Sequence, residues 1–496
     1  MVSSLAINRQ FILAQQPPEW PDSLLPGIQA VVRTAGRKVV VLDDDPTGNQ
    51  TVHDVWVLTE WTVDRLVEAL RDPEPVVYIL TNSRSLGSDD ALELNRVIAG
   101  NLCAARRTTG RDFAVISRSD STLRGHYPGE TDILTVALGD RVDAVLLVPF
   151  FAEGGRLTID DVHYVARGEN LVPAAETEYA RDGVFSYTHS NLREWVSEKP
   201  LGLLAPEDVA SISLTDIRLG GPAAVEDKLL QIARREADAD DAACGVRKVC
   251  VVNAVSYRDL EVVVDGLLRA EAAGKAFLCR TAASFVRVRG GIEPKPLLTT
   301  TDLGSSTTTG GLVVVGSHVE RTTRQVSAAA GLSSIDELEL SVPALLDPIS
   351  RDAERLRTSE RVNQSLAAGR DVLMVTSREV IRAATDDDNL RIARSVSATL
   401  AGIVAQLPKR PAWIVAKGGI TSSDVATVGL GVRRARVLGQ VLPGVPVWQA
   451  GEESRWPGLS YVVFPGNVGD DNDLAGVIQI LRGRPAADPG DRRGAG

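Results

Sequence analysis

This 496-residue sequence predicts an α/β protein of two α/β lobes, each built on a mainly parallel sheet. Three observations carry that prediction. From Lys38 onward, short runs rich in valine and isoleucine end in polar loops and are followed by longer segments with helical spacing. Those runs are near-continuously apolar, as strands are when helices cover both sheet faces. The pattern breaks at 290–311, a stretch of glycine, proline and threonine/serine, and then resumes.

Residues 1–35 form an amino-terminal extension whose Gln-Pro-rich centre interrupts any periodic pattern, and disorder is expected there, as in the Gly/Pro/Arg/Asp tail 484–496. The first lobe, 36–289, has strands at Lys38–Leu42, Val76–Leu80, Phe113–Ser117 and Asp143–Val148. Asp89–Arg107 reads as a helix, with apolar residues three and four apart, acids at its start and arginines at its end. Residues 290–311 read as the interdomain linker. The second lobe, 312–483, has strands at Leu312–Gly316, Asp371–Thr376, Pro411–Ala416 and Leu459–Phe464, with helices at Arg351–Ala368 and Asn389–Gln406. In a parallel sheet, ligands sit at the carboxyl ends of the strands, so the loops after these runs are the candidates for chemistry.

Composition narrows the function. Hydrophobic residues at 44% and charged residues at 24% are ordinary for a folded, soluble chain. A net charge of -11 argues against a nucleic-acid partner. The longest apolar stretch, 144–152, is about half the ~20 residues that span a bilayer, and it holds Pro149, so neither a membrane partner nor a targeting segment is expected. Cys103, Cys244, Cys250 and Cys279 form no C-x-x-C pair and do not cluster with the histidines, which points to a reducing, cytoplasmic setting and no protein-bound metal site.

The first strand delivers Asp43-Asp44-Asp45-Pro46-Thr47-Gly48 to the sheet edge, where adjacent carboxylates call for a cation or donors nearby. The second ends in Thr81-Asn82-Ser83-Arg84-Ser85 and the third in Arg118-Ser119-Asp120-Ser121-Thr122-Leu123-Arg124-Gly125. Arginines match a carboxylate in a two-pronged geometry, and hydroxyl and carboxylate side chains suit sugar hydroxyls, so a small polyhydroxy acid fits these loops. Arg118 and Arg124 could equally serve to tie the acidic loops together. His126, His163 and His318 have no metal-ligand spacing. In the second lobe, Gly316-Ser317 and Lys417-Gly418-Gly419-Ile420-Thr421-Ser422 follow strands and let backbone N–H groups approach an anion, although no Walker sequence is present. Pro465-Gly466-Asn467-Val468-Gly469 makes another such loop before the acids Asp470, Asp471 and Asp473.

Taken in order, Asp43 to Gly48, Asp120 to Gly125 and Gly418 to Ser422 resemble the four-carbon acid sugar kinase family. Gly155-Arg156-x-Thr158 and Glu176-Thr177 also resemble its first domain. The resemblance implies an amino-terminal acid-sugar-binding domain, a carboxyl-terminal nucleotide-binding domain, and phosphorylation of erythronate, threonate or 3-oxo-tetronate with ATP and Mg²⁺. It implies that Asp43, Asp44 and Asp120 are the catalytic carboxylates, with the base among them left open. Thr47, Gly48, Arg84, Arg124, Gly125 and Arg156 would bind the sugar acid, and Ser317, Gly418, Gly419, Ile420, Thr421 and Gly466 the nucleotide. Lobe closure would bring the γ-phosphate to the Asp43/Asp44 edge. A homodimer is the assembly to test. The sequence departs from the family at Ile420, usually acidic, in its final glycine loop, and in an insert around Glu194–Asp241.

Two readings compete. Asp43-x-Asp45-x-Thr47 resembles the nucleophile motif of haloacid-dehalogenase-like phosphatases, with Asp43 the covalent nucleophile that attacks the phosphoryl group and Asp45 the general acid. Alternatively, a nucleotide lobe altered at Ile420 would leave a non-catalytic sugar-acid sensor.

Overall fold

The computed structural model describes residues 6–139, 142–199, 204–233, 248–303, 308–317, 319–377, 386–466 and 468–483; the tail 484–496, His318 and Asn467 lie outside them. The chain divides into two compact units, 1–48 with 60–294 and 49–59 with 295–496.

In the first unit seven parallel strands lie in the order Ala210–Ile212, Val249–Val252, Ala144–Val148, Phe277–Thr281, Phe113–Arg118, Lys38–Asp43 and Val76–Leu80. Val39, Val40, Val41, Ile79 and Leu146 are sealed from solvent, which is why these runs lack the alternation of one-sided strands. Register fixes the site: Asp43 lies beside Leu80 on one side and Arg118 on the other, and Arg280 lies beside Ser117. Ser88–Thr109 forms the expected helix, opened by Asp89 and Asp90 and stopped at Gly110. A small antiparallel sheet, Ile7–Asn8, Asn170–Pro173, Val162–Arg167 and Arg156–Ile159, joins this unit.

The amino-terminal stretch expected to be disordered is folded over residues 6–35. Helix Leu25–Thr34 buries Ile28 and Val32, the Leu24 amide and Ser23 hydroxyl donate to Glu261, and Arg218 donates to the carbonyl of Pro17. These partners lie far along the chain, so a composition reading of the stretch alone does not register them.

The second unit carries strands Leu312–Val315, Ile335–Leu340, Asp371–Thr376, Ile414–Lys417 and Ser460–Phe464 in parallel, continued antiparallel by Val445–Ala450, Arg434–Leu442 and Val55–Leu58. Its core includes Val313, Val415, Val462, Phe464 and Trp413. From Lys295 the stretch read as a linker belongs to this unit: the Leu298 amide donates to Gln440, and Leu298 and Leu303 enter the core.

Candidate active site

Three adjacent strands of the first unit, ending at Asp43, Leu80 and Arg118, place their loops side by side. Asp43 and Asp44 are 1% and 3% exposed, so each carboxylate must find its partners within the protein. Arg118 Nη1 donates to Asp43 Oδ1 at 3.2 Å and lies 3.6 Å from Asp44. Ser119 Oγ donates to Asp44 Oδ2 at 2.7 Å. Asp45 is bound by Arg84 and by the Thr47 amide and hydroxyl, and Arg84 Nη1 reaches Asp120 at 3.4 Å. Arg124 Nε donates to Asp120 at 2.8 Å. Gly48 packs so closely on Asp43 that a Cβ there would lie 1.9 Å from its Oδ1.

The four carboxylates divide into two kinds. Burial pushes Asp43 up to about 8, overcoming Arg118 and reinforced by Asp44 and Asp45. Burial likewise raises Asp44 against Arg84, Arg118 and Arg280. Burial also presses on Asp45 and Asp120, but Arg84 with Thr47 outweighs it at the first, and Arg124 with Arg84 at the second, so both are held below the usual range. Asp43 Oδ2 and Asp44 Oδ1 are buried without a hydrogen-bond partner among the described residues. The site thus sets two carboxyl groups raised by burial inside a cationic frame, an arrangement suited to orienting and deprotonating a hydroxyl beside a bound anion. It does not suit the phosphatase chemistry: a nucleophilic Asp43 should be ionised, and Asp45 is held as an anion where a general acid should carry a proton.

Thr47, Gly48, Arg84, Arg124 and Gly125 therefore join Asp43, Asp44 and Asp120 in one constellation. Arg156 stands at its edge, its guanidinium 5.5 Å from the ring of Tyr179, which Arg124 approaches to 5.2 Å. Arg280 escaped the sequence reading. Its Nη1 donates to Ser117 Oγ at 2.7 Å and to Glu130 at 2.6 Å, and its Nη2 donates to Ser119 Oγ at 2.7 Å. The available signal was an arginine inside the apolar run Phe277–Thr281, which must be paired if it is buried. A recess beside the constellation is lined by Ser119, Asp120, Arg124 and Arg280 on a polar side and by Leu123, Tyr127, Leu147, Pro149 and Trp195 on the other.

In the second unit, the ends of three adjacent strands, at Val315, Lys417 and Phe464, bring Ser317, Gly418 and Gly466 together. Gly418 has φ +112°, and a Cβ on it would lie 3.3 Å from Ser317 Cβ; one on Gly466 would lie 3.2 Å from Ser317 Oγ. Such close-set, side-chain-free backbone fits phosphate oxygens approaching the amides. Gly419, Ile420 and Thr421 open the helix Gly419–Asp424, and Thr421 Oγ1 backs onto Gly316. Ile420 brings no polar side chain, so any polar contact it makes runs through its backbone. The final loop's acids do not converge on a cation: Asp471 pairs with Arg324, Asp473 accepts from the Asp470 amide, and among the described residues no group of three His, Cys, Asp or Glu could hold a metal.

Lys417, fully buried beneath these loops, donates to the carbonyl of Pro465 at 2.9 Å and lies over the Phe464 ring. Burial lowers it to about 7, aided by Arg321 and opposed by Asp473. The folded chain therefore holds fewer protons than the unfolded chain between pH 7 and 10.5, and stability rises with pH across that window. Lys417→Met should raise the melting temperature relative to the wild type at pH 6, with the advantage shrinking by pH 9; a difference independent of pH would contradict a buried, titrating lysine.

A profile for a sugar-binding N-terminal domain matches residues 39–289, and one for a nucleotide-binding C-terminal domain matches 312–474. The chain is 27% identical over 461 residues to a D-threonate kinase of Bordetella bronchiseptica, covering 90% of this chain and 98% of that one. It is 26% identical over 333 residues to a D-erythronate kinase of Heliobacterium modesticaldum, 66% of each. Among solved structures, a putative tRNA synthase from Salmonella typhimurium superposes with a TM-score of 0.63 at 18% identity, covering 88% of this chain and 98% of that one. Protein HI1011 of Haemophilus influenzae does so at 0.56 and 19%, with the same coverage; these two likenesses speak for the fold alone. With both domain profiles matched in order along the chain, this protein belongs to the four-carbon acid sugar kinase family of ATP-dependent phosphotransferases.

Proposed function

We propose that this chain transfers the γ-phosphoryl group of ATP to a hydroxyl of threonate, erythronate or a 3-oxo-tetronate. The observation that carries the reading is the recess where Arg124 and Arg280 stand beside Asp44 and Ser119, cations for a carboxylate next to an acceptor for a hydroxyl proton. The D-threonate and D-erythronate kinases among the relatives support the substrate class.

ATP supplies the phosphoryl group and Mg²⁺ the charge neutralisation on its phosphates. The chain's own part is positioning. Ser317, Gly418 to Thr421 and Gly466 cradle the phosphates; Arg124 holds the acid's carboxylate, with Arg84 and Arg156 completing the cationic frame. Asp44 takes the proton of the attacking hydroxyl, and Ser119 fixes the carboxylate that does so. Asp120 keeps Arg84 and Arg124 in place. The free thiols of Cys103, Cys250 and Cys279 suit a cytoplasmic setting.

An ATP-to-ADP coupled assay with Mg²⁺ against D-erythronate, D- and L-threonate, 3-oxo-tetronates and glycerate, with product mass checked, tests the proposal. Turnover of one tetronate with a gain of one phosphoryl group is expected. ATP binding without turnover of any tetronate would overturn the substrate assignment, and absence of ATP binding would favour the sensor.

A further inference from the structure

Trp195 lies on the helix Leu192–Ser197. Asn191 caps that helix through the amides of Arg193 and Glu194, and Trp195 stacks on Tyr127 with centroids 4.8 Å apart, while Lys199 Nζ stands 4.5 Å over its ring. The indole is thus held by an aromatic and a cationic neighbour. It is 2% exposed and lines the recess with Arg124 and Arg280, yet its Nε1–H is buried with no hydrogen-bond partner among the described residues. A buried indole N–H normally finds an acceptor, and leaving one unpaired costs free energy that an incoming acceptor recovers.

We propose that Trp195 is a specificity-determining residue, its indole N–H donating to a non-reacting oxygen, hydroxyl or keto, of the bound sugar acid. The inference rests on the sugar-acid kinase reading. Leu123, Tyr127, Leu147 and Pro149 offer the carbon chain an apolar wall, and Trp195 adds a polar anchor to the arginine side and to Thr281, whose Oγ1 is likewise buried without a hydrogen-bond partner among the described residues. An acid lacking the oxygen that meets the indole leaves the N–H unpaired and is discriminated against, the situation in which a polar site rejects an analogue most strongly.

The test is Trp195→Phe, which keeps an aromatic ring at this position and removes the donor, assayed with the acid the wild type turns over and with its deoxy analogues, one oxygen removed at a time. The wild type is expected to lose about tenfold in kcat/KM on removal of one particular non-reacting oxygen. Trp195→Phe should lose a similar factor with the full acid and no longer distinguish that analogue. In ¹⁵N-edited spectra of the wild type, one of the seven tryptophan indole signals should move downfield as the acid saturates, and that signal should be missing from the variant. A variant that folds and keeps wild-type kcat/KM and discrimination, or an indole spectrum untouched by the acid, overturns the assignment while leaving the kinase reading intact. A wild type that phosphorylates no sugar acid strikes the kinase reading itself.

Discussion

Asp44→Asn should lower kcat about 10²–10⁴-fold while leaving ATP affinity and the fold unchanged, the loss expected when a positioned general base is removed. Asparagine is isosteric and can still accept from Ser119 Oγ, so the hydrogen bond that orients the side chain survives and only the basic oxygen is lost. Asp43→Asn is the contrasting variant. Near pH 7 Asp43 already carries a proton, because burial holds it up at about 8, and an amide mimics that neutral form; Arg118 keeps Asp44 at 3.6 Å. Its kcat should stay within about tenfold of the wild type. The same shift has a stability consequence of known sign. A carboxyl raised from 3.8 to about 8 on folding contributes stability that is fully present below about pH 4 and is lost as pH rises through 8. The urea midpoint of the wild type should therefore fall between pH 5 and 8 more steeply than that of Asp43→Asn. Equal loss of kcat in the two variants would remove the distinction between a base and a buried proton holder and would require the carboxylates to act as one titrating pair.

What the sequence exposes of this arrangement follows from how local each signal is. Val76–Leu80 and Asp371–Thr376 are legible to the residue because a strand covered on both faces must be a short unbroken apolar run. Asp43 to Gly48 and Asp120 to Gly125 are legible because contiguous polar residues directly after such runs have to sit at a sheet edge. Arg280, Glu130 and Trp195 are single residues in a strand and two helices, and their shared site comes only from register between strands and packing across the fold. Val55–Leu58 is harder still: a four-residue run close to the first catalytic loop pairs with Arg434–Val437 in the second unit, and no local pattern encodes a partner so distant. The folded amino-terminal stretch failed for the same reason, since its order depends on Glu261 and Arg218.

Gly125→Ala should cut kcat/KM for the sugar acid by about 10²-fold without changing ATP binding. Gly125 has φ +128°, a conformation that L side chains rarely adopt, and holding alanine there costs about 1–3 kcal/mol. The added Cβ would lie 2.7 Å from Ser119 Oγ, 2.8 Å from Arg280 Nη2 and 3.2 Å from Asp44 Oδ2, so it meets at once the base and the two groups that orient it. None of them yields freely. Arg280 is held by Glu130 at 2.6 Å and Ser117 at 2.7 Å, and Ser119 is held between Arg280 and Asp44. Relief must come from displacing the Asp120–Gly125 loop or the Asp44 carboxylate, and displacement of about 1 Å at a reacting group is enough for a loss of this size. The nucleotide cradle belongs to the other unit and shares no residue with this contact, so calorimetric ATP affinity should equal that of the wild type. A variant that loses ATP affinity together with turnover would point to collapse of the fold. Unchanged turnover would mean that the Ser119–Arg280–Asp44 contact can open without cost, and Asp44 would then lose its claim to be the positioned base.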